Sequence, residues 1–255
     1  MKQITLCVLI LFSSTLSFGT PSSTYWAPST ASCQTWNVPH VTYDTYFAQG
    51  SAAGSSGAPN YPTDIGLTTG VLPFEKLQGE LGFDMLLPSP DPLYLNGKFC
   101  TPESSIFVGS PAIGFGLYNV GFKKDVNDYD LYYMNFQKSF SFGGYLSVGM
   151  YQGQNKTLFT NSGGEVINTG ILAAIASPDI QFDRKGLRKI NFVADIQSGK
   201  NVLGAWGFGT NIYFADNVSV LTGPVYFFDS ALQPGGRDML WTLQMDVDVP
   251  LDSLK

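Results

Sequence analysis

His40 is the one histidine of the chain, and it is the residue that would serve as general base in a Ser-His-Asp hydrolase. Asp44 follows four residues later, but in an extended segment the two side chains would share a face only loosely. No Gly-x-Ser-x-Gly motif is present to hold a nucleophilic serine. We therefore expect no enzymatic activity and no catalytic residues, and we interpret His40 as a surface or plug residue.

The cysteines are the second group with possible chemistry. The chain has three cysteines, of which Cys7 lies within the first nineteen residues, discussed below as a cleaved segment. One histidine and the two remaining distant cysteines, Cys33 and Cys100, do not make the ligand set of a zinc site, so we predict neither a metal nor another cofactor. In an oxidising compartment this even pair could form a disulfide that ties the N-terminal segment to the loop after Leu87. Two free thiols are the alternative, because sequence alone does not show that the backbones approach each other.

The first nineteen residues have the features of a cleaved secretory signal peptide. Lys2 gives the positive start, an apolar run follows over residues 4–12, and Ser17 and Gly19 provide the small residues of a cleavage site. The run is shorter than the roughly 20 residues of a permanent membrane helix. We divide the chain into a signal peptide over residues 1–19, an N-terminal segment over 20–62 that is a possible plug or first strand, and a β-barrel over 63–255.

The composition excludes several classes of protein. Charged residues make up only 13% of the chain and aromatic residues 14%, which is unlike a disordered chain. The formal net charge is -6, so there is no basic surplus to neutralise phosphates, and we predict no nucleic-acid partner.

Apolar and other residues alternate with a period of two along most of the chain, which predicts strands. Short connections rich in Gly, Asn, Asp and Ser separate the strands, so sequential strands should be antiparallel neighbours in an up-and-down barrel of 10–12 strands. Connection lengths do not alternate clearly between long and short, so the orientation stays open. Residues 41–47 alternate weakly, and clear alternation covers residues 64–72, 78–87, 190–197, 204–214 and 239–249. Five further segments are also predicted as strands, over residues 105–118, 129–140, 143–151, 170–177 and 218–228.

The second face of these segments is small and polar rather than charged. Gly, Thr, Asn, Asp and Gln fill it, whereas a soluble barrel usually shows Lys, Glu and Arg to water. Bases collect instead in connections, as at Lys123 and Lys124, and aromatic residues lie near strand ends, as at Tyr118 and Tyr151. A lipid-facing barrel has an apolar outer band, aromatic girdles and a polar interior. A secreted soluble β-barrel or sandwich is the alternative.

With these features the chain resembles the bacterial outer-membrane β-barrel proteins. Residues 69–84, TGVLPFEKLQGELGFD, resemble in particular the hairpins of a family of small uncharacterised barrels of this kind. The resemblance covers residues 63–249 and implies an outer-membrane location, with lipid as a partner. Such proteins usually end in an aromatic residue that the assembly machinery reads, whereas this chain continues past Val249 through Pro250 to Lys255.

If the apolar faces meet lipid, eight polar residues point into the lumen. In an open lumen the four acids among them would favour cations, because acidic rings select cations. In a closed lumen the same acids must be paired or hydrogen-bonded. The eight predicted lumen residues are Glu80, Asp84, Asn191, Asp195, Gln197, Asn211, Gln244 and Asp246.

These patterns favour a passive function. We expect a narrow channel or a binding barrel for small or apolar solutes, with small solutes or cations as candidate ligands. The alternatives are a structural or adhesion barrel that acts through its loops, such as the loop over residues 179–189, and a secreted binding module.

Overall fold

A computed structural model describes residues 23–48 and 61–251, so the predicted signal peptide lies outside the described residues. Thirteen antiparallel strands and two short 3₁₀ turns make up the regular structure of this part. No helix within it is long and apolar enough to cross a membrane. The strands are β1 Pro39–Ala48, β2 Thr63–Gly70, β3 Gln78–Leu87, β4 Leu93–Thr101, β5 Ala112–Val120, β6 Leu131–Ser139, β7 Tyr145–Gly153, β8 Thr169–Ala176, β9 Ile180–Arg184, β10 Leu187–Gln197, β11 Ala205–Ala215, β12 Val218–Phe227 and β13 Met239–Asp248.

The strands form a closed up-and-down barrel with twelve positions, which confirms the predicted architecture. Apart from β8 and β9, each strand pairs with its neighbours in sequence, and β1 pairs with β13 from His40–Asp248 to Ala48–Leu240 to close the ring. Strands β8 and β9 share one position, because β8 pairs with the C-terminal half of β10 and β9 with its N-terminal part. Residues 177–179 separate them, and Pro178 cannot donate to a ladder.

Two of the twelve positions were weak or absent in the sequence analysis. The doubtful segment at residues 41–47 is the full strand β1, and β4 was not predicted at all. Cys100 therefore lies in a strand, and the placement of Cys100 in a loop after Leu87 was wrong. The predicted segment 105–118 was also too long, because residues 102–111 form a connection and β5 begins at Ala112.

Apolar side chains cover the outside of the barrel. On the outer face of different strands Leu81, Phe99, Met150 and Ile171 are 58%, 58%, 64% and 62% exposed. Inward positions are buried and mostly small or polar, as in β13, where the pattern alternates between buried and exposed residues along nearly the whole strand. The strands are 8–11 residues long where they are uninterrupted, from β2 at 8 to β10 at 11.

The two ends of the barrel differ in the length of their connections. At one end, here called the loop end, the connections after β1, β3, β5, β7, β10 and β12 hold 14, 5, 10, 15, 7 and 11 residues. At the other, here called the terminal end, those after β2, β4, β6, β9 and β11 hold 7, 10, 5, 2 and 2. The irregular lengths seen in the sequence came from the missed strand β4, because leaving out one strand assigns every later connection to the opposite end of the barrel.

Candidate functional site

The N-terminal segment fills the lumen. Residues 24–34, here called the plug, rise from the terminal end to Trp26 near the loop end and return to Gln34, from which the chain turns into β1. Tyr25, Ala27 and Ser29 are at most 1% exposed, although none of them belongs to a strand. A stretch without regular structure can be buried only if its backbone groups find partners. The inward side chains of the barrel provide those partners.

Asp195 makes the first anchor of the plug. Its carboxylate accepts hydrogen bonds from the backbone N–H groups of Tyr25, Trp26 and Ala27 at 2.9, 3.0 and 2.9 Å. The hydroxyl of Ser29 donates to the same carboxylate at 3.1 Å. Charge-assisted bonds of this kind are about twice as strong as neutral ones. A carboxylate that appeared as a possible selectivity group is therefore fully engaged by the plug.

Polar residues from other strands make a second anchor near the terminal end. The Gln137 Oε1 atom accepts from the Thr30 hydroxyl and the Ala31 N–H, each at 3.0 Å. Glu80 accepts from the Gln34 N–H at 2.6 Å and pairs with Lys98 at 3.2 Å. Both members of this ion pair are buried, so each charge satisfies the other.

A covalent bond reinforces the second anchor. Cys33 of the plug and Cys100 of β4 form a disulfide, with their Cα atoms 5.8 Å apart. The two cysteines that the sequence offered as a disulfide candidate are thus joined inside the barrel. The bond fixes the returning arm of the plug to the barrel wall.

Glycine on the inner face makes room for the plug. A Cβ atom at Gly207 or Gly209 of β11 would overlap the ring of Tyr25. These glycines belong to the small, polar face that the sequence analysis identified. Their place in the pattern is explained by the plug, because a larger residue at either position would displace Tyr25.

Other predicted lumen residues complete the packing around the plug. Gln244 donates from Nε2 to the carbonyl of Tyr25 at 2.9 Å. Asp84 accepts from Asn96 and lies in the same part of the lumen as Asp44 and Asp64, which face each other across β1 and β2. Of the eight predicted residues, Glu80, Asp195, Gln197, Asn211, Gln244 and Asp246 are buried, and Asp84 and Asn191 are half-buried.

His40 is neither a surface nor a plug residue, so that interpretation was wrong. It lies in β1, 2% exposed, with Nε2 3.1 Å from Asp246 Oδ1 and Nδ1 3.1 Å from Asp248 Oδ1. Both aspartates belong to β13, so the imidazole bridges the pair of strands that closes the barrel. Gln34 donates to the same Asp248 oxygen at 2.7 Å, which links the plug to this closure.

The basic residues of the lumen were not predicted from the sequence. No base was expected among the inward acids, whereas Lys98 and His40 both lie there, each beside a carboxylate. Lys98 belongs to the missed strand β4, whose inward residues Tyr94, Asn96, Lys98 and Cys100 alternate with outward Leu95, Gly97 and Phe99. The outward leucines and phenylalanine were the available signal, and the prolines just before the strand obscured it.

The loop end of the lumen is closed by aromatic rings. Trp26 packs edge-on against Tyr46, Tyr61 and Phe227, with ring centroids 5.9, 5.5 and 5.3 Å apart. Its indole N–H donates to the Leu203 carbonyl at 2.9 Å. We call these four rings the aromatic seal. The cavity beside them holds only about 50 Å³.

The terminal end contains a larger cavity of about 500 Å³, here called the chamber. Plug residues form one wall, and β6–β11 with the segment between β8 and β9 form the others. Its lining is mostly hydroxyl, amide and aromatic groups, among them Ser32, Thr35, Tyr145, Asn211 and Tyr213. A cavity of this size lies in the range of small-molecule sites, roughly 300–1,000 Å³.

One ion pair lies close to the mouth of the chamber. Lys138 and Glu103 are 2.7 Å apart, and the Ser139 N–H also donates to Glu103. Partial burial of Glu103 opposes its ionisation, but the hydrogen bonds from Lys138 and Ser139 outweigh burial and lower the pKa of this carboxyl. Glu103 therefore stays ionised and paired at neutral pH.

Within residues 23–48 and 61–251, no group of three or more His, Cys, Asp or Glu residues is placed to hold a metal ion. No family model matches the chain, and no curated protein matches it either. The candidate site is therefore described by its own geometry: a polar chamber at one end of a plugged barrel.

Proposed function

We propose that this protein is an integral β-barrel of a bacterial outer membrane whose plugged lumen forms a binding chamber for small solutes. The exposed apolar outer surface carries this proposal. Soluble monomers rarely expose apolar patches larger than a few hundred Å², whereas here outward apolar residues lie on strands all around the ring. A polar, hydrogen-bonded interior with an apolar exterior is the arrangement of a membrane barrel.

Strand length and connections support the same proposal. Strands of about 9–11 residues cross a bilayer when tilted, and most strands here have that length. Outer-membrane barrels have short periplasmic turns and longer extracellular loops. On that rule the loop end faces outward, and the terminal end with the chamber faces the periplasm.

The plug favours binding over free passage. Barrels that conduct freely have about sixteen strands or more, and twelve strands leave a narrow lumen that the plug and the aromatic seal occupy. A solute can enter the chamber from the terminal end, but it meets the two anchors and then the seal. We therefore expect a chamber open at one end in the resting protein.

Cell fractionation and gel mobility test the membrane part of the proposal. The protein is expected in the outer-membrane pellet, and it should migrate faster on an SDS gel before boiling than after boiling. A soluble protein whose mobility does not depend on heating would contradict the proposal and favour a secreted binding module.

Planar-bilayer recording tests the closed chamber. The purified, heat-modifiable protein should insert without steady ion current, because the plug and the seal block the lumen. A steady current in the wild-type protein would contradict a closed chamber and restore the narrow-channel alternative.

A further inference from the structure

The chamber has walls that can both donate and accept hydrogen bonds. The side chains of Ser32 and Thr35 are exposed and line the chamber from the plug side. Each hydroxyl group can give one hydrogen bond and receive others. A ligand that carries many groups of the same kind would match such walls.

Asn211 belongs to an ordered part of the chamber wall. The side chain is 7% exposed and lines the chamber, and its Nδ2 donates to the Tyr213 hydroxyl at 2.9 Å. Its Oδ1 atom accepts no hydrogen bond within the described part of the chain, but it has almost no accessible surface and is therefore not a contact point for a ligand.

The charges around the chamber are already paired. Lys189 contacts Asp179 at 2.7 Å, and Asn191 donates to the other oxygen of the same carboxylate at 2.8 Å. The Lys189 ammonium also lies 4.3 Å from the centre of the Tyr213 ring. With Glu103 held by Lys138 at the mouth, the described residues offer the chamber no uncommitted charge of the kind that would select an ionic ligand.

Aromatic rings lie beside these polar groups. Tyr145 and Tyr213 line the wall, and Phe140 and Phe142 stack at the rim with centroids 5.2 Å apart and planes 6° apart. Phe142 is 71% exposed. Aromatic faces next to hydroxyl and amide groups suit a ligand with both apolar C–H faces and hydroxyl edges.

From these features we propose that the chamber binds a neutral oligosaccharide of two or three sugar units. Sugar hydroxyls both donate and accept, so they can pair with the Thr35 hydroxyl and accept from the Ser32 hydroxyl, whose oxygen already accepts from Gln137 Nε2, while a pyranose face packs on an aromatic ring. The proposal rests on the binding chamber of the proposed function, and it adds the chemical class of the ligand.

Calorimetric titration of the purified protein in detergent tests the ligand class. The neutral probes are maltotriose, cellotriose and N,N′-diacetylchitobiose, and the charged ones are trigalacturonic acid and chitotriose with free amines. We expect at least one neutral probe to bind with a dissociation constant of about 1 mM or tighter. The charged probes should bind at least about tenfold more weakly, because their charges would lose water without gaining a partner.

Two variants locate the site. Thr35→Val removes an exposed hydroxyl at nearly constant volume, and Ser32→Ala removes the other exposed hydroxyl of this wall. Each should weaken binding of the neutral probe about tenfold, the loss expected for one hydrogen bond. Thr169→Val, an exposed substitution at the loop end, is the matched control and should bind like the wild type.

The result can overturn the proposal in two ways. Silence from all three neutral probes at about 50 mM, or charged probes that bind as well as the neutral ones, would refute the oligosaccharide assignment. Unchanged binding in Thr35→Val would place the ligand elsewhere. Heat-modifiable mobility of each variant verifies folding, so a heat-modifiable protein that binds no saccharide refutes this inference and leaves the membrane barrel standing.

Discussion

The two ends of the lumen are built from different chemistry. At the loop end four aromatic rings close the barrel around Trp26 and leave about 50 Å³. At the terminal end polar groups surround about 500 Å³. The same plug lies between them, so the difference comes from the strand residues and loops that meet the plug. Apolar packing excludes water at one end, and hydrogen-bonding walls admit it at the other.

Trp26→Ala should have the largest effect on the contrast between the sealed loop end and the polar terminal end. The substitution removes the centre of the aromatic seal and leaves a void, at a cost of about 3–5 kcal/mol of unfolding free energy. It should also join the chamber to the loop end, so ion current should appear in a bilayer. Chemical denaturation of the reconstituted protein followed by circular dichroism measures the first effect. Wild-type stability and no current would mean that the seal does not close the barrel.

The double substitution Cys33→Ser and Cys100→Ser should have the next largest effect. The bond closes a loop with a sequence separation of 67 residues, and loss of a native disulfide costs about 2–4 kcal/mol. Because Glu80 and Gln137 still hold the returning arm, the plug should stay in place and the bilayer should stay silent. Hydrogen exchange at residues 31–34 should become faster. Exchange as slow as in the wild type would mean that the polar contacts alone fix this arm.

Asp195→Asn should loosen the first anchor. An amide replaces one acceptor oxygen with a donor that faces backbone N–H groups, so about 1.5–3 kcal/mol of charge-assisted bonding is lost. We expect faster hydrogen exchange at residues 25–27 than at residues 31–34, the reverse of the disulfide variant. Thr169→Val, on the exposed face of the loop end, is the control and should exchange like the wild type in both arms. Equal exchange in both arms would show that the two anchors are not independent.

Phe142→Ala should have the smallest effect on stability, within about 0.5 kcal/mol, because the ring lies on the surface. If the chamber mouth uses this ring, neutral saccharide binding should weaken while the bilayer stays silent. Calorimetry and conductance on the same preparation separate the two readouts. A current in this variant would indicate that the terminal end, rather than the seal, blocks the lumen.

The barrel itself could be predicted because alternation is local. In β13 the outward residues Trp241, Leu243 and Met245 are separated by Thr242 and Gln244, so one strand shows both faces. The strand β4 was lost because Pro88, Pro90 and Pro92 precede it and Gly97 interrupts its outer face. Because this one strand was missed, the later connections were assigned to the wrong end of the barrel.

The site could not be predicted in the same way. Asp195 lies on the expected face, but its partners are backbone N–H groups 168–170 residues earlier in the chain. Every residue except proline has a backbone N–H group, so the sequence does not show which of these groups will donate to a given side chain. The alternation therefore identified the inward acids, whereas their hydrogen bonds to the plug could be seen only in the three-dimensional structure.

The disulfide inside a closed barrel ties oxidation to the order of assembly. Cys100 is 2% exposed, and Cys33 lines the chamber of about 500 Å³, which is far too small to admit a protein catalyst. An enzyme that oxidises these thiols through the chamber would therefore have to act before the barrel closes around the plug. After closure, small thiols remain the reagents of a size that can enter the chamber and reach the bond.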